Sequence, residues 1–378
     1  METLLSLSNI SKWYPVGRDL LGRPSGMLRA VNDISLEVKR GETLALVGES
    51  GCGKSTLARL MLRLLEPSGG RVIFDGEDIS HWSARRMRPL RARMQLIFQD
   101  PFSSLNPRMT VGDVLEEPLR INGWTRSRRR ARVAELLATV GLHAAHAERY
   151  PHEFSGGQRQ RVGIARALAC GPEFIVGDEP VSALDVLVQA QIINLLGDLK
   201  AQLGLTLVMI AHDLSVVRHM ADRVGVMYLG EIVELTDTRT LFERPRHPYT
   251  RALIEAVPQP NPHIRPSRDL LEGESPSPLV AAQGCRFAER CPLVRDRCHS
   301  DPPVLRETLE GGGSHQVACH FWREADRGTP IATAHGQGSA RYRQRLALFQ
   351  EQLARQQRVA QQSTTDCPTI ARCSTPNH

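Results

Sequence analysis

The chain has 378 residues, 41% of them hydrophobic, enough for one large domain with an extension and a sizeable core. Its net charge of +7 is carried almost wholly by arginine. No apolar run approaches the ~20 residues needed to cross a bilayer, and the start Met1-Glu2-Thr3-Leu4 lacks the basic region and cleavage site of a signal peptide. The expectation is a cytoplasmic protein whose membrane role, if any, comes through partner chains.

Residues 4 to 40 alternate apolar and polar positions, as at Ile34, Leu36 and Val38, which predicts an antiparallel β-subdomain. Gly17 to Gly26 reads as an exposed loop within it. Thr43 to Val47 is an apolar, β-prone run. It leads into Gly48-Glu49-Ser50-Gly51-Cys52-Gly53-Lys54-Ser55-Thr56, which fits G-x-x-x-x-G-K-[ST], and then into helix formers from Leu57 to Leu65. A glycine-rich loop between a strand and a helix N-terminus presents backbone N–H groups and a helix dipole to a triphosphate. Lys54 would neutralise the β- and γ-phosphates, and the Ser55 hydroxyl would ligate Mg2+. Gln99 closes the run Gln95-Leu96-Ile97-Phe98, and a proline-punctuated loop follows from Asp100 to Pro107.

The arginines at 126, 128, 129, 130 and 132 open an amphipathic helix. A solvated helix face is favoured over a nucleic-acid contact, because no aromatics are interleaved to stack bases. Ser155-Gly156-Gly157-Gln158 reads as a glycine turn opening a helix, a second anion site. Phe174 to Glu179 is an apolar strand ending in two carboxylates. Asp178 can hold Mg2+ through its water shell, and Glu179 can polarise an attacking water as general base. Ser182 to Asp185 follows at once. A further strand, Thr206 to Ala211, ends at His212. Residues 41 to 98 thus hold a nucleotide core, residues 99 to about 165 are mostly helical, and βα alternation returns to about 245. The fold class expected is a layered α/β phosphate-loop cassette.

Taken together, these motifs resemble the ATP-binding-cassette family, and all stand in that family's order across residues 48 to 212. The resemblance implies ATP and Mg2+ as ligands, with Ser55, Gln99 and Asp178 around the metal and Glu179, Gln99 and His212 in catalysis. It makes Ser155 to Gln158 the family signature, Ser182 to Asp185 its D-loop, and Tyr14 the adenine-stacking aromatic, with Trp13 as runner-up. It also implies a second ATPase subunit, each nucleotide lying between the phosphate loop of one cassette and the signature of the other.

Arg246-His247-Pro248-Tyr249-Thr250-Arg251 and the four cysteines Cys285, Cys291, Cys298 and Cys319 resemble the C-terminal extension of oligopeptide/dipeptide permease ATPases. Four thiolates suit an iron–sulfur cluster or tetrahedral zinc, although the spacing is that of neither common motif, and four packed thiols are the alternative. Some members of the resembled subfamily hold a [4Fe–4S] cluster there, so a [4Fe–4S] cluster is expected, with zinc as runner-up. His299, His315 and His320 read as surface polar residues. Cys52 and Cys170 are assigned no chemistry.

The domain expectation is a cassette at 1–245 with its helical subdomain at about 99–165, the extension at 246–324, and a linker with a tail helix at 325–378. Leu346, Phe349 and Leu353 form the tail's one apolar stripe. The resemblance implies a peptide importer acting from the cytoplasmic face of the inner membrane. Its partners would be two transmembrane permease subunits, a second ATPase in a heterodimer and an extracytoplasmic solute-binding protein, with no nucleic acid. A cytosolic cassette ATPase acting on nucleic acid or ribosomes is the alternative.

Overall fold

The computed structural model describes residues 2–17, 26–100, 104–256, 283–308 and 314–326. Most of the Gly17 to Gly26 loop lies outside the described residues. So do the linker, the tail stripe at Leu346, Phe349 and Leu353, and Cys367 and Cys373.

In chain order the strands are β1 (Thr3–Val16), β2 (Gly26–Lys39), β3 (Thr43–Val47), β4 (Gly69–Phe74), β5 (Glu77–Asp78), β6 (Met94–Ile97), β7 (Phe174–Asp178), β8 (Thr206–Ile210), β9 (Arg223–Tyr228), β10 (Glu231–Asp237), β11 (Arg306–Glu307) and β12 (Gln316–Val317). They form two sheets. The smaller is antiparallel, in the order β2-β1-β4-β5. The larger runs β11-β12-β10-β9-β3-β8-β7-β6, with β9, β3, β8, β7 and β6 parallel.

Every residue of β3, β7 and β8 is buried, because parallel central strands are covered on both faces and must be apolar throughout. In β2 the burial alternates, as expected where one face packs and the other meets water. Residues 69–78 read as part of the nucleotide core, yet β4 pairs with β1, from Leu5 opposite Phe74 to Ser11 opposite Gly69. Their alternation is too short to assign a strand to either sheet; only the pairing partner decides.

The helices that bear on function are α1 (Lys54–Met61), α2 (Ala84–Arg93), α3 (Val111–Ile121), α4 (Arg126–Thr139), α5 (Gly156–Leu168), α6 (Val186–Leu203), α7 (Leu214–Met220), α8 (Thr238–Glu243) and α9 (Pro248–Glu255). Local sequence sets their ends. The Thr110 hydroxyl accepts from the Asp113 N–H at the start of α3, and Asp185 accepts from the Val188 N–H at the start of α6. Helix α6 stops at Gly204, which adopts a left-handed conformation. The arginine cluster of α4 is only partly a solvated face. Arg129 reaches Glu116 and the Trp124 carbonyl, and Arg132 donates to the Leu168 and Ala169 carbonyls at the end of α5.

Three apolar clusters form among the described residues. One joins the antiparallel sheet to the central strands around α1. A second lies under α3, α4, α5 and α6. The third gathers Val226, Tyr228, Leu241, Tyr249 and Phe287 and so includes the C-terminal extension. That extension is built into the main sheet: β12 pairs with β10, and β11 with β12. The Glu234 carboxylate, fully buried on β10, accepts from the N–H groups of Arg246 (2.7 Å) and His247 (3.0 Å) and bonds His315 Nε2 (2.7 Å). His315 is therefore a buried partner rather than a surface residue. The sequence conceals this because Glu234 stands 81 residues away. Burial pushes His247 down to about 4, so it is neutral, and its Nδ1 accepts from the Tyr249 N–H.

Candidate functional site

The phosphate loop runs from the end of β3 into the first turn of α1, as its sequence requires. Its glycines are dictated by space as well as by φ. At Gly48 (φ 147°) an added Cβ would meet the Met227 carbonyl oxygen at 2.1 Å. At Gly53 (φ 105°) it would meet that of Ala30 at 2.1 Å. Lys54 is buried, and its ammonium donates to the Gly48 (2.7 Å) and Glu49 (2.8 Å) carbonyls. A cation is thus fixed inside the ring of backbone that begins α1.

The acidic pair sits at the end of β7, which β8 separates from β3. Ser55 Oγ donates to Asp178 Oδ1 at 2.9 Å, so a hydroxyl and a carboxylate 123 residues apart form one oxygen cluster. Burial, and then repulsion from Glu179, hold the Asp178 carboxyl above the ordinary carboxylate range; the Ser55 bond opposes them. Such a desolvated carboxylate is a ready partner for a divalent cation. Glu179 adopts φ 49°, a left-handed backbone uncommon for a non-glycine residue, and its N–H donates to the Ile210 carbonyl. Its carboxylate is held from two sides. Gln99 Nε2 donates to Oε2 at 2.7 Å, and His212 Nε2 contacts Oε1. Gln99, Asp178, Glu179 and His212 follow the ends of β6, β7 and β8, and the loop follows β3, so all gather at the carboxyl edge of the parallel sheet. Ligands of open α/β sheets bind at that edge.

Tyr14 is half-buried on β1 opposite Leu28, two residues along β2 from Ala30, whose carbonyl backs Gly53. It therefore stands at the loop's end of the antiparallel sheet. Trp13 is more exposed, at 40%, with the Arg29 guanidinium over its ring.

Ser155 to Gln158 open α5. Ser155 caps α5, accepting from the Gln158 N–H (3.3 Å), while the Ser155 N–H donates to Gln158 Oε1 (3.0 Å). A side chain on Gly157 would strike Val188 Cγ1 at 2.4 Å, so the glycine lets the signature lie against the start of α6. Gly156 similarly faces Leu184. Helix α5, which the signature opens, packs in the apolar cluster of the helical layer, whereas α1 packs in the other.

The metal centre expected at Cys285, Cys291, Cys298 and Cys319 is not borne out. Among the described residues, no group of three or more His, Cys, Asp or Glu side chains is placed to hold a metal ion. The four cysteines are free. Burial pushes the thiols of Cys285 and Cys319 up to about 11 and about 12, with mutual repulsion of neighbouring thiolates adding to it. Protonated thiols pack as small hydrophobes. Here Cys285 and Cys291 pack against the Tyr249–Phe287 cluster, and the Cys285 N–H donates to the Cys298 carbonyl at 2.7 Å. The iron–sulfur and zinc readings are both withdrawn.

One set of contacts to the loop was not legible in any motif. The Glu49 N–H donates to the Tyr249 hydroxyl at 2.8 Å, and the Glu49 carboxylate takes a bidentate pair from Arg290 at 2.9 and 3.0 Å. The only signal was the oddity of a carboxylate in an anion-binding loop, which calls for a cation nearby.

Residues 31–182 match the family model described as ABC transporter, and residues 233–298 match the one described as oligopeptide/dipeptide transporter, C-terminal region. The oligopeptide transport ATP-binding protein AppF of Bacillus subtilis is 50% identical over 325 residues, covering 85% of this chain and 98% of that protein. A probable peptide ABC transporter ATP-binding protein of Sinorhizobium fredii, y4tS, is 49% identical, covering 90% of this chain and 94% of its own. Among solved structures, a dimeric post-hydrolysis state of the ATP-binding cassette MJ0796, bound to ADP and Pi, is 31% identical with a TM-score of 0.56. It covers 62% of this chain and 99% of that one.

Proposed function

The chain belongs to the ABC transporter ATPases that carry the oligopeptide/dipeptide transporter C-terminal region, and from that premise we propose that it powers a membrane importer of di- and oligopeptides or a related small solute. Its own reaction is ATP hydrolysis. The observation that carries this reading is the Glu179 carboxylate braced by Gln99 and His212, beside the Ser55–Asp178 oxygen pair and the buried Lys54 ammonium.

In this reading Gly48 to Thr56 bind the triphosphate through backbone N–H groups and Lys54, and Tyr14 stacks on the adenine. The oxygen donors Ser55, Gln99 and Asp178 suit Mg2+, which when bound supplies charge neutralisation at the phosphates. Glu179 accepts the proton of the attacking water. Gln99 and His212 fix the carboxylate so that its geometry is set before reaction.

The signature lies in a different layer from the loop, which favours a site completed between two cassettes: Ser155 to Gln158 of one face the phosphate loop of the other. The second cassette is a distinct ATPase subunit in our reading. No described helix is long and apolar enough to cross a membrane. Translocation therefore falls to two transmembrane permease subunits, with an extracytoplasmic solute-binding protein delivering cargo. The chain works at the cytoplasmic face of the inner membrane. The cassette occupies 1–245, with the extension at 246–324.

The test is peptide uptake into vesicles carrying the assembled transporter. Wild type is expected to couple ATP hydrolysis to uptake. Glu179→Gln is expected to lose ~10²- to 10⁴-fold in hydrolysis, the worth of a general base, while still binding ATP. Unchanged turnover would overturn the assignment of Glu179, and hydrolysis uncoupled from every peptide pool would overturn import.

A further inference from the structure

The segment Gly284 to Pro292 carries two arginines, one on the phosphate loop itself and one on the turn bonded to that loop. Arg290 lies beneath the surface, its side chain 7% exposed, and makes the bidentate pair with Glu49. Its guanidinium also donates to the Tyr228 hydroxyl at 3.3 Å. Bidentate pairing fixes direction as well as charge, which a single contact does not. Arg286, four residues earlier, donates to the Leu229 carbonyl (2.7 Å) and pairs with Glu231 (2.8 Å), and so holds the β9–β10 turn from both sides. Within that turn the Gly230 N–H donates to the Cys52 carbonyl at 2.8 Å. Tyr249, in the same apolar cluster as Phe287, takes the Glu49 N–H. The extension thus secures the loop at Glu49, in both backbone and side chain, and at Cys52.

Glu49 explains why such a hold is needed. It places a negative charge in a loop whose other features attract anions. Left unpaired, that carboxylate would repel the incoming phosphates and could swing towards Lys54. Paired with Arg290, it becomes a handle on the loop rather than an obstacle in it. We propose that the Gly284–Pro292 segment is a clamp on the phosphate loop, and that Arg290 is a positioning residue which neutralises Glu49 and thereby sets affinity for ATP. This rests on the nucleotide reading above, but assigns the extension a task within the cassette's own site.

The experiment is equilibrium binding of ATP to the full-length chain, with thermal melting run alongside. Arg290→Gln is expected to weaken ATP about tenfold, the scale of one unscreened like charge beside an anion site. Adding Glu49→Gln to Arg290→Gln is expected to recover most of that loss, because the repelling carboxylate is gone. A purely structural arginine would show no such recovery. Arg290→Lys keeps the charge without the fork and is expected to bind within about threefold of wild type. Wild-type affinity in Arg290→Gln, no recovery in the double variant, or a lysine variant as weak as the glutamine one would each overturn the clamp. If the wild-type chain itself fails to bind ATP, the nucleotide assignment falls, and the clamp with it.

Discussion

Glu179 is constrained in both its backbone and its side chain. Its backbone is left-handed, and its carboxylate is shared between an amide and an imidazole. A side chain so fixed has little freedom left to lose on reaction, which is what preorganised catalysis requires. Tyr249 is the corresponding residue on the loop's other flank. It is fully buried, packs against Tyr228 and Phe287, and accepts the Glu49 N–H. Tyr249→Phe keeps the packing and deletes only the acceptor, so a cost of ~1–3 kcal/mol is expected in denaturant unfolding. A variant as stable as wild type would show that this hydrogen bond does not help to hold the loop.

At the scale of elements, a four-residue network joins the antiparallel sheet to the central one. Asp75 in the β4–β5 turn and Glu173 before β7 are shared between Arg40, after β2, and Arg93, at the end of α2. The bond from Arg93 is the main reason the Asp75 carboxyl is held below its ordinary range, and the same holds for Glu173. Both folded pKa values are depressed, so the stabilisation is present above the unfolded values, near 4, and is lost as pH falls through the folded ones. Glu173→Gln should therefore flatten the acid side of the stability–pH curve below about pH 5, seen in melting at a series of pH values. A variant curve parallel to wild type would remove Glu173 from that linkage. The same elements show what the sequence could reveal. Gly48 to Thr56, Gln99, Asp178, Glu179 and His212 were legible because each motif is short and constrained by the chemistry of phosphate. Residues 69–78 and His315 were not, since a strand's sheet and a histidine's partner depend on pairing across distant chain. The cysteines were over-read: four cysteines near one another do not by themselves make a metal site. The Arg290–Glu49 pair spans 241 residues and had no local signature at all.

At the scale of the whole molecule, the extension is built onto the cassette's main sheet. Strands β11 and β12 extend the main sheet, Glu234 anchors the 246–247 backbone, Arg290 reaches the phosphate loop, and Arg286 holds the turn bonded to it. In the function proposed above, this body takes its nucleotide against a second cassette and acts on membrane-spanning partners. Leu105, beyond Gln99, shares an apolar cluster with Phe154, which precedes the signature. The most direct test of this account is affinity purification of the full-length chain from native membranes, with mass spectrometry of its companions. The account predicts two multi-span permease chains, a second cassette ATPase and an extracytoplasmic binding protein. Recovery from the soluble fraction alone, in company with nucleic acid or ribosomes, would contradict it.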